Sequence, residues 1–316
     1  MPTGIGQRTM KVFTLVDSGE NSSLPAFCDD GKYDCGFVLP AYADASDNDL
    51  RNDKYGHYLL GQSWTSSIAF VLQKWDGSSW QDEATMDDDT YGDYFAMGYF
   101  ESKPKYSGIV IHWKEVLAAH GEGLYRIKTT ETIPLGENIT YSKSICLKEY
   151  SCMPNNSVRL EWWMNNGFGD INNDKRIVDF ADCNLYYQVR IPNAFFGYPK
   201  DDYEEEEVQY PNGEFQDVTF KQSPRYVLKL NGYKGLPAWL HNIIKTYAIP
   251  SGTLLITDYS SNNPEEFIQK AVKRASSYEP RYTPYSKCAP VTVELKPRYN
   301  RLEKYRCISD DDSFTT

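Results

Sequence analysis

Histidine is scarce: the 316 residues contain four, at His57, His112, His120 and His241. None has a partner at the short intervals that zinc sites use, so no metal ligand is nominated. Positive charge is also in deficit. Lys and Arg total 33 against 44 Asp and Glu, a formal net charge of −11, which argues against a general attraction to nucleic-acid backbones or anionic membranes. No apolar run approaches the roughly 18 to 20 residues of a membrane helix, and Met1 to Lys11 lacks the basic-then-apolar order of a signal peptide. The expectation is a soluble, unexported chain. The motifs G-x-S-x-G, H-E-x-x-H and G-x-x-x-x-G-K-[ST] are missing, which removes the commonest hydrolase, metalloprotease and nucleotide-binding signatures.

Cysteine is present without a pattern. Cys28, Cys35, Cys146, Cys152, Cys183, Cys288 and Cys307 are an odd number with no C-x-x-C pair. The spacing predicts ordinary reduced thiols and a reducing cytoplasm as the place of synthesis. Three glycosylation sequons, at Asn21, Asn138 and Asn155, then read as chance matches. Asp170 to Asp174 (DINND) resembles the first half of a calcium loop, but Lys175 stands where a glycine is needed and Ala181 where a bidentate Glu belongs. An Asx-rich turn explains the run instead. The acidic runs Asp87 to Asp89 and Glu204 to Glu207 read as solvated loops. No catalytic, cofactor-binding or metal residue is therefore assigned, and the chain is not expected to be an enzyme.

What the chain does have is aromatic residues: 25 Tyr, 14 Phe and 7 Trp, 15% of the total. They favour strands and contact surfaces. Short apolar or alternating runs separated by Gly, Ser, Asp and Pro recur at Met10–Asp17, Ser67–Trp75, Tyr94–Phe100, Gly108–Trp113 and Leu124–Thr130. In the second half they recur at Ser157–Met164, Cys183–Ile191, Gln216–Lys221, Arg225–Leu230, Gly252–Asp258 and Val291–Lys296. This predicts a mainly β protein of two β-sandwich-like units, 1–150 and 151–316, with a seam near Glu149 to Asn156. Short helices are expected at Lys114–His120, stopped by Gly121, and at 236–248, where Leu236, Trp239, Leu240, Ile243, Ile244 and Tyr247 recur at helical spacing. A further one is expected from Pro264, with acids first and bases last. The polar stretch Asp44 to His57 reads as a surface excursion suited to a partner contact.

Two aromatic doublets sharpen the functional reading. Neighbours on a strand point to opposite faces, so Trp162-Trp163 and Tyr186-Tyr187 cannot all enter one core. These four are the interface candidates, for a protein partner or for sugar stacking.

Motif order points the same way. The strand SSIAFVLQKW, the block Tyr91 to Tyr99, Gly108 to Trp113 followed by Gly121 to Ile127, and Ser144 to Leu147 come first. Val158-Arg159-Leu160-Glu161, Val189-Arg190-Ile191-Pro192, Phe196-Gly197 and Leu254 to Tyr259 follow, ahead of a Lys/Arg/Tyr-rich C-terminal segment. From about Trp64 to Ile308 the chain resembles virion structural proteins of crAss-like phages of Bacteroides, specifically ring proteins of the tail or neck. The resemblance implies a subunit closing into a six- or twelve-fold ring below a portal, bound to adjacent ring, portal or tail proteins. It carries no catalytic residue and no cofactor. An acidic subunit also suits a wall past which DNA must slide. The alternative from another class is a tail-associated carbohydrate- or receptor-binding β module with Trp162 or Trp163 as its sugar platform. A glycan-degrading enzyme ranks third.

Overall fold

The computed structural model describes residues 16–17, 38–45, 51–60, 67–86, 95–100, 106–134, 136–153, 156–164, 168–170, 175–178, 185–197, 200–209, 215–232, 235–251, 253–259, 268–282 and 288–298. Within them the chain is mainly β, with several sheets and two short α-helices. The expected opening strand is described only at its end, and Asp87 to Asp89 and 171–174 lie outside the described residues.

The first half contains β1 (Val16–Asp17), β2 (Leu39–Ala43), β3 (Lys54–Leu60), β4 (Ser67–Trp75), β5 (Trp80–Met86), β6 (Phe95–Phe100), β7 (Tyr106–His112), α1 (Trp113–His120), β8 (Gly123–Ile133), β9 (Gly136–Ser142) and β10 (Ile145–Glu149). The eleven-residue β8 organises the larger sheet. It pairs with β4 along one edge and with β9 and then β10 along the other, and β10 carries β2 in parallel. Its inward residues Tyr125, Ile127 and Thr129 are buried, while Arg126 and Lys128 between them face out. That is the period-2 pattern of a half-buried strand. A three-stranded sheet, β3-β7-β6, completes this half. Helix α1 ends where expected: Gly121 adopts φ +75, a left-handed conformation that costs glycine little.

The second half contains β11 (Ser157–Met164), β12 (Phe168–Asp170), β13 (Lys175–Val178), β14 (Leu185–Pro192), β15 (Ala194–Phe196), β16 (Lys200–Gln209), β17 (Phe215–Leu230), β18 (Leu236–Pro237), α2 (Ala238–Ile243), β19 (Thr253–Asp258), β20 (Ile268–Arg274), β21 (Cys288–Ala289) and β22 (Val291–Pro297). Its main sheet runs β14-β11-β19-β20-β22-β17-β15. Helix α2 continues as a π-helical turn, Ile244–Ala248, closed by Ile249 N–H on Ile244 O at 2.9 Å. Leu236, Leu240 and Ile244 are buried, with Trp239, Ile243 and Tyr247 packed around them. Gly235 has φ +95, and a Cβ there would lie 2.7 Å from the Ala289 backbone, so glycine lets β21 pass.

No described sheet takes strands from both sides of residue 150. One apolar cluster nonetheless runs through both halves, from Leu39, Phe70, Ile111 and Ile127 to Leu160, Ile191, Ile256 and Val293.

Four expectations are corrected. The segment from Pro264 is not helical over its described part: Ile268–Arg274 is β20, paired antiparallel with β19 and β22. Two flanking strands with open hydrogen-bonding groups outweigh a helix-like charge order. Gln216–Lys221 and Arg225–Leu230 are one strand, β17, passing through Pro224. The acidic run Asp201 to Glu207 is strand β16, not a loop. Finally, the polar stretch ending at His57 turns inward: Asn52, Asp53, Tyr55 and His57 are all buried.

Candidate functional site

Strands β11 and β14 pair so that Trp162 lies opposite Tyr187 and Trp163 opposite Tyr186. Alternation then sorts two faces. Val158, Leu160, Trp162, Tyr187, Val189 and Ile191 belong to the core. Trp162 (2% exposed) and Tyr187 (6%) stack there with ring centroids 5.5 Å apart and planes 14° from parallel. That removes both from the surface. Trp163 and Tyr186 share the other face, half-buried, with centroids 5.3 Å apart. The two doublets thus divide as pairs, one inward and one outward.

The outward face is charged. Behind Trp163 and Tyr186 come Glu161, Arg159, Gln188 and Arg190, all buried because residues 51–54 of the first half cover them. Asp53 is the hub. It accepts Arg190 Nε at 2.7 Å and Nη2 at 2.6 Å, a bidentate pair, and has Arg159 Nη1 at 3.5 Å. It also accepts the Tyr42 backbone N–H at 2.9 Å, while its own N–H donates to Tyr42 O and its carbonyl accepts Trp113 N–H. One residue therefore connects β2, α1, β11 and β14. Arg159 donates to Asn52 O and pairs with Glu161 at 3.1 Å, and Glu161 accepts the Tyr186 hydroxyl at 2.9 Å. Gln188 Oε1 accepts Lys54 N–H at 2.5 Å. The Tyr259 ring lies 4.0 Å from Arg190 and 5.7 Å from Arg159.

Two guanidiniums and two carboxylates give this seam no net charge. Burial works against the charge on Arg190, but Asp53 and Tyr259 outweigh it and the guanidinium is held above its ordinary range. Arg159 moves the same way: burial opposes its charge, and Tyr259, Glu161 and Asp53 overcome that. Burial, then Glu161, pushes Tyr186 well above the usual phenol range, so it stays a neutral donor. Charge-assisted, bidentate contacts in a water-excluded layer hold geometry tightly. The arrangement fastens the two halves of the chain to each other.

The second feature is the β16/β17 ribbon. Ten residues of β16 pair antiparallel with Phe215–Arg225 of β17, with a bulge between Glu204 and Glu205. Past Tyr226 no other described strand pairs with it, since β22 and β15 join β17 only from Tyr226 and Leu228 onward. Ten residues at about 3.3 Å each make an arm of about 30 Å. An isolated two-stranded hairpin is marginally stable in water, and its outer edges offer free N–H and C=O groups.

No protein-family model matches the chain, and no curated protein matches it. Its residues must carry the functional reading themselves.

The histidines lie apart. His57 Nε2 is 3.0 Å from Thr129 Oγ1, and burial lowers its pKa to about 3. His120 Nδ1 meets Glu83 at 3.0 Å, and His112 sits at the junction of β7 and α1. His241 is fixed between Tyr278 Oη at 2.7 Å and Ala289 O at 2.8 Å. Among the described residues no group of three or more His, Cys, Asp or Glu could hold a metal ion. No described helix is long and apolar enough to cross a membrane.

The cysteines overturn the reduced-thiol expectation. Cys146 and Cys288 are disulfide-bonded, and Cys152 is an exposed free thiol. Sequence spacing does not show which thiols the fold brings together.

Spacing also missed Asp53, Arg159, Glu161 and Arg190. The available signal was Arg and Glu at alternate positions inside otherwise apolar strands, which demands buried partners.

Proposed function

We propose that the chain is a structural subunit of a phage tail or neck that acts by closing into a six- or twelve-fold ring around the DNA conduit, and not by chemistry. The observation that carries this reading is the ribbon. Cyclic assembly needs two different patches per subunit, and an arm of about 30 Å whose outer edges pair with no other described strand is the kind of element that docks onto a neighbour by strand addition. The buried arginine seam supports the same reading, because an arm transmits position around a ring only from a rigid base. Disulfides at Cys146 and Cys288 suit a particle that works outside the reducing cytoplasm.

Light scattering on the purified chain, followed by electron microscopy of what forms, tests the proposal. Closed rings of six or twelve copies are expected. A variant with residues 204–221 replaced by a short Gly-Ser turn should melt as the parent does and stay monomeric. Rings that form equally well without the ribbon would remove its role, and a chain that stays monomeric in the presence of portal and neighbouring ring proteins would remove the assembly reading.

A further inference from the structure

Strand β16 is the outer strand of the ribbon, and its far edge pairs with no other described strand. Six of the seven residues from Asp201 to Glu207 are Asp or Glu. Like charges directly opposite one another destabilise a sheet. An acidic tract along an open edge therefore turns away a second β16 and admits a basic strand. The chain contains such a segment: from Lys296 to Arg306 (KPRYNRLEKYR) five of eleven residues are Lys or Arg and one is Glu, the most basic stretch of that length in the sequence.

Topology decides which copy supplies it. Over Leu228 to Leu230, β17 pairs with β15 on one edge and with β22 on the other. Strand β16 follows β15 along the same edge, with Gly197 N–H donating to Val227 O at 2.7 Å on the way. A strand added outside β16 would thus lie three strand spacings from the line of β22, about 14 Å. The chain leaves β22 at Arg298, whose N–H donates to Ala271 O at 3.0 Å, with Leu295 opposite Tyr226 at the base of the ribbon. Continuing that register along the near edge of β17 would set Pro297 against Pro224, a rung with no N–H on either side. Lys221 and Arg225 stand against one acid, Asp217, on that edge. Its own β17 edge repels the segment, and the acidic edge of its own β16 faces away from it.

From this we infer that residues 298–306 of one copy add as a strand to the open edge of β16 in the next. The inference rests on the ring reading and names the element that the arm meets. Nine residues at about 3.3 Å each span about 30 Å, close to the length of β16. Strand addition satisfies the open backbone groups, gives a marginal two-stranded ribbon its third strand, and sets bases beside acids at cross-strand distance. An edge and a segment that differ from each other make a head-to-tail contact, the kind that closes a ring.

Paired charge reversals in the full chain test it. One variant carries Glu204→Lys, Glu205→Lys, Glu206→Lys and Glu207→Lys; the other carries Arg298→Glu, Arg301→Glu, Lys304→Glu and Arg306→Glu. Light scattering should show neither assembling alone. An equal mixture should restore rings in which the two alternate, since each reversed edge then meets a reversed segment. Melting curves that match the parent's keep lost assembly apart from lost folding. A fluorescent peptide of residues 298–306 reads the docking without rings. It should bind the segment-reversed chain saturably and the edge-reversed chain about tenfold or more weaker. Asn300→Pro with Leu302→Pro in the peptide should also weaken binding, because two N–H donors are lost at unchanged charge. Rings formed by either variant alone, or a mixture that stays monomeric when the parent closes rings, overturn the inference and leave the ring reading standing. Absence of saturable peptide binding overturns it too, whereas peptide binding with no rings from the parent upholds the docking and removes the ring reading.

Discussion

Replacing Asp53 by Ala removes the hub of the buried seam and leaves the rest of the chain untouched. Arg159, 2% exposed, would keep its pair with Glu161, whereas Arg190, also 2% exposed, would lose both carboxylate oxygens it holds, and the Tyr42 N–H would lose its acceptor. Breaking a buried ion pair from one side costs about 3–5 kcal/mol, because the remaining charge stays out of water without a partner. An unfolding entropy near 2.1 cal/mol/K per residue over a chain of this size makes each kcal/mol worth about 1.5 °C, so Tm should fall by about 5–8 °C. Calorimetry or circular dichroism at neutral pH reads the shift directly. A double variant, Asp53→Leu with Arg190→Met, replaces the pair by apolar groups and should be less damaged than the two single changes summed, by about 1–3 kcal/mol. A loss below about 2 °C for Asp53→Ala, or strict additivity in the double variant, would refute the claim that the seam fastens the two halves.

Three further outcomes follow from the same geometry. His57 stays neutral in the fold down to about pH 3, whereas the unfolded chain takes up a proton below 6.5. Its contribution is therefore complete above pH 6.5 and declines as pH falls toward 3, by up to about 1.4 kcal/mol per unit, and His57→Leu should flatten the Tm-against-pH curve in that window. Trp162→Ala should cost about 3–5 kcal/mol in denaturant unfolding, and Trp163→Ala less than half of that, because only the first ring is fully in the core. Under native conditions iodoacetamide should label Cys152, while Cys146 and Cys288 react only after reduction; mass spectrometry of the peptides would show the opposite pattern if the disulfides do not form.

Strands with clean alternation were legible in advance. Ser67–Trp75 and Ser157–Met164 form as expected, because apolar side chains recur at every second position, as Phe70 and Leu72 do in the first and Val158, Leu160 and Trp162 in the second. Helix α1 was legible from helix formers ending at a glycine. The reading failed where local chemistry and tertiary context disagree. The acids of β16 look like a solvated loop, yet a strand needs only backbone pairing with β17 and does not require apolar side chains. Ile268–Arg274 has the charge order of a helix but fills a vacant position between β19 and β22. Asp53 ends a stretch as polar as any surface loop, and only the arginines of two distant strands, more than a hundred residues later, turn it inward. The aromatic doublets were legible as a division into two faces. Which member enters the core depends on register with β14 and on α2, and neither is local.

The most direct test of the assembly proposal is hydrogen exchange along the β16/β17 ribbon, compared between the isolated chain and the assembled particle. A ribbon that joins neighbouring subunits predicts fast exchange over 200–225 in the monomer and strong slowing of those amides on assembly, with the seam around 157–162 and 186–192 slow in both. Unchanged exchange over 200–225 in the assembled particle would contradict it.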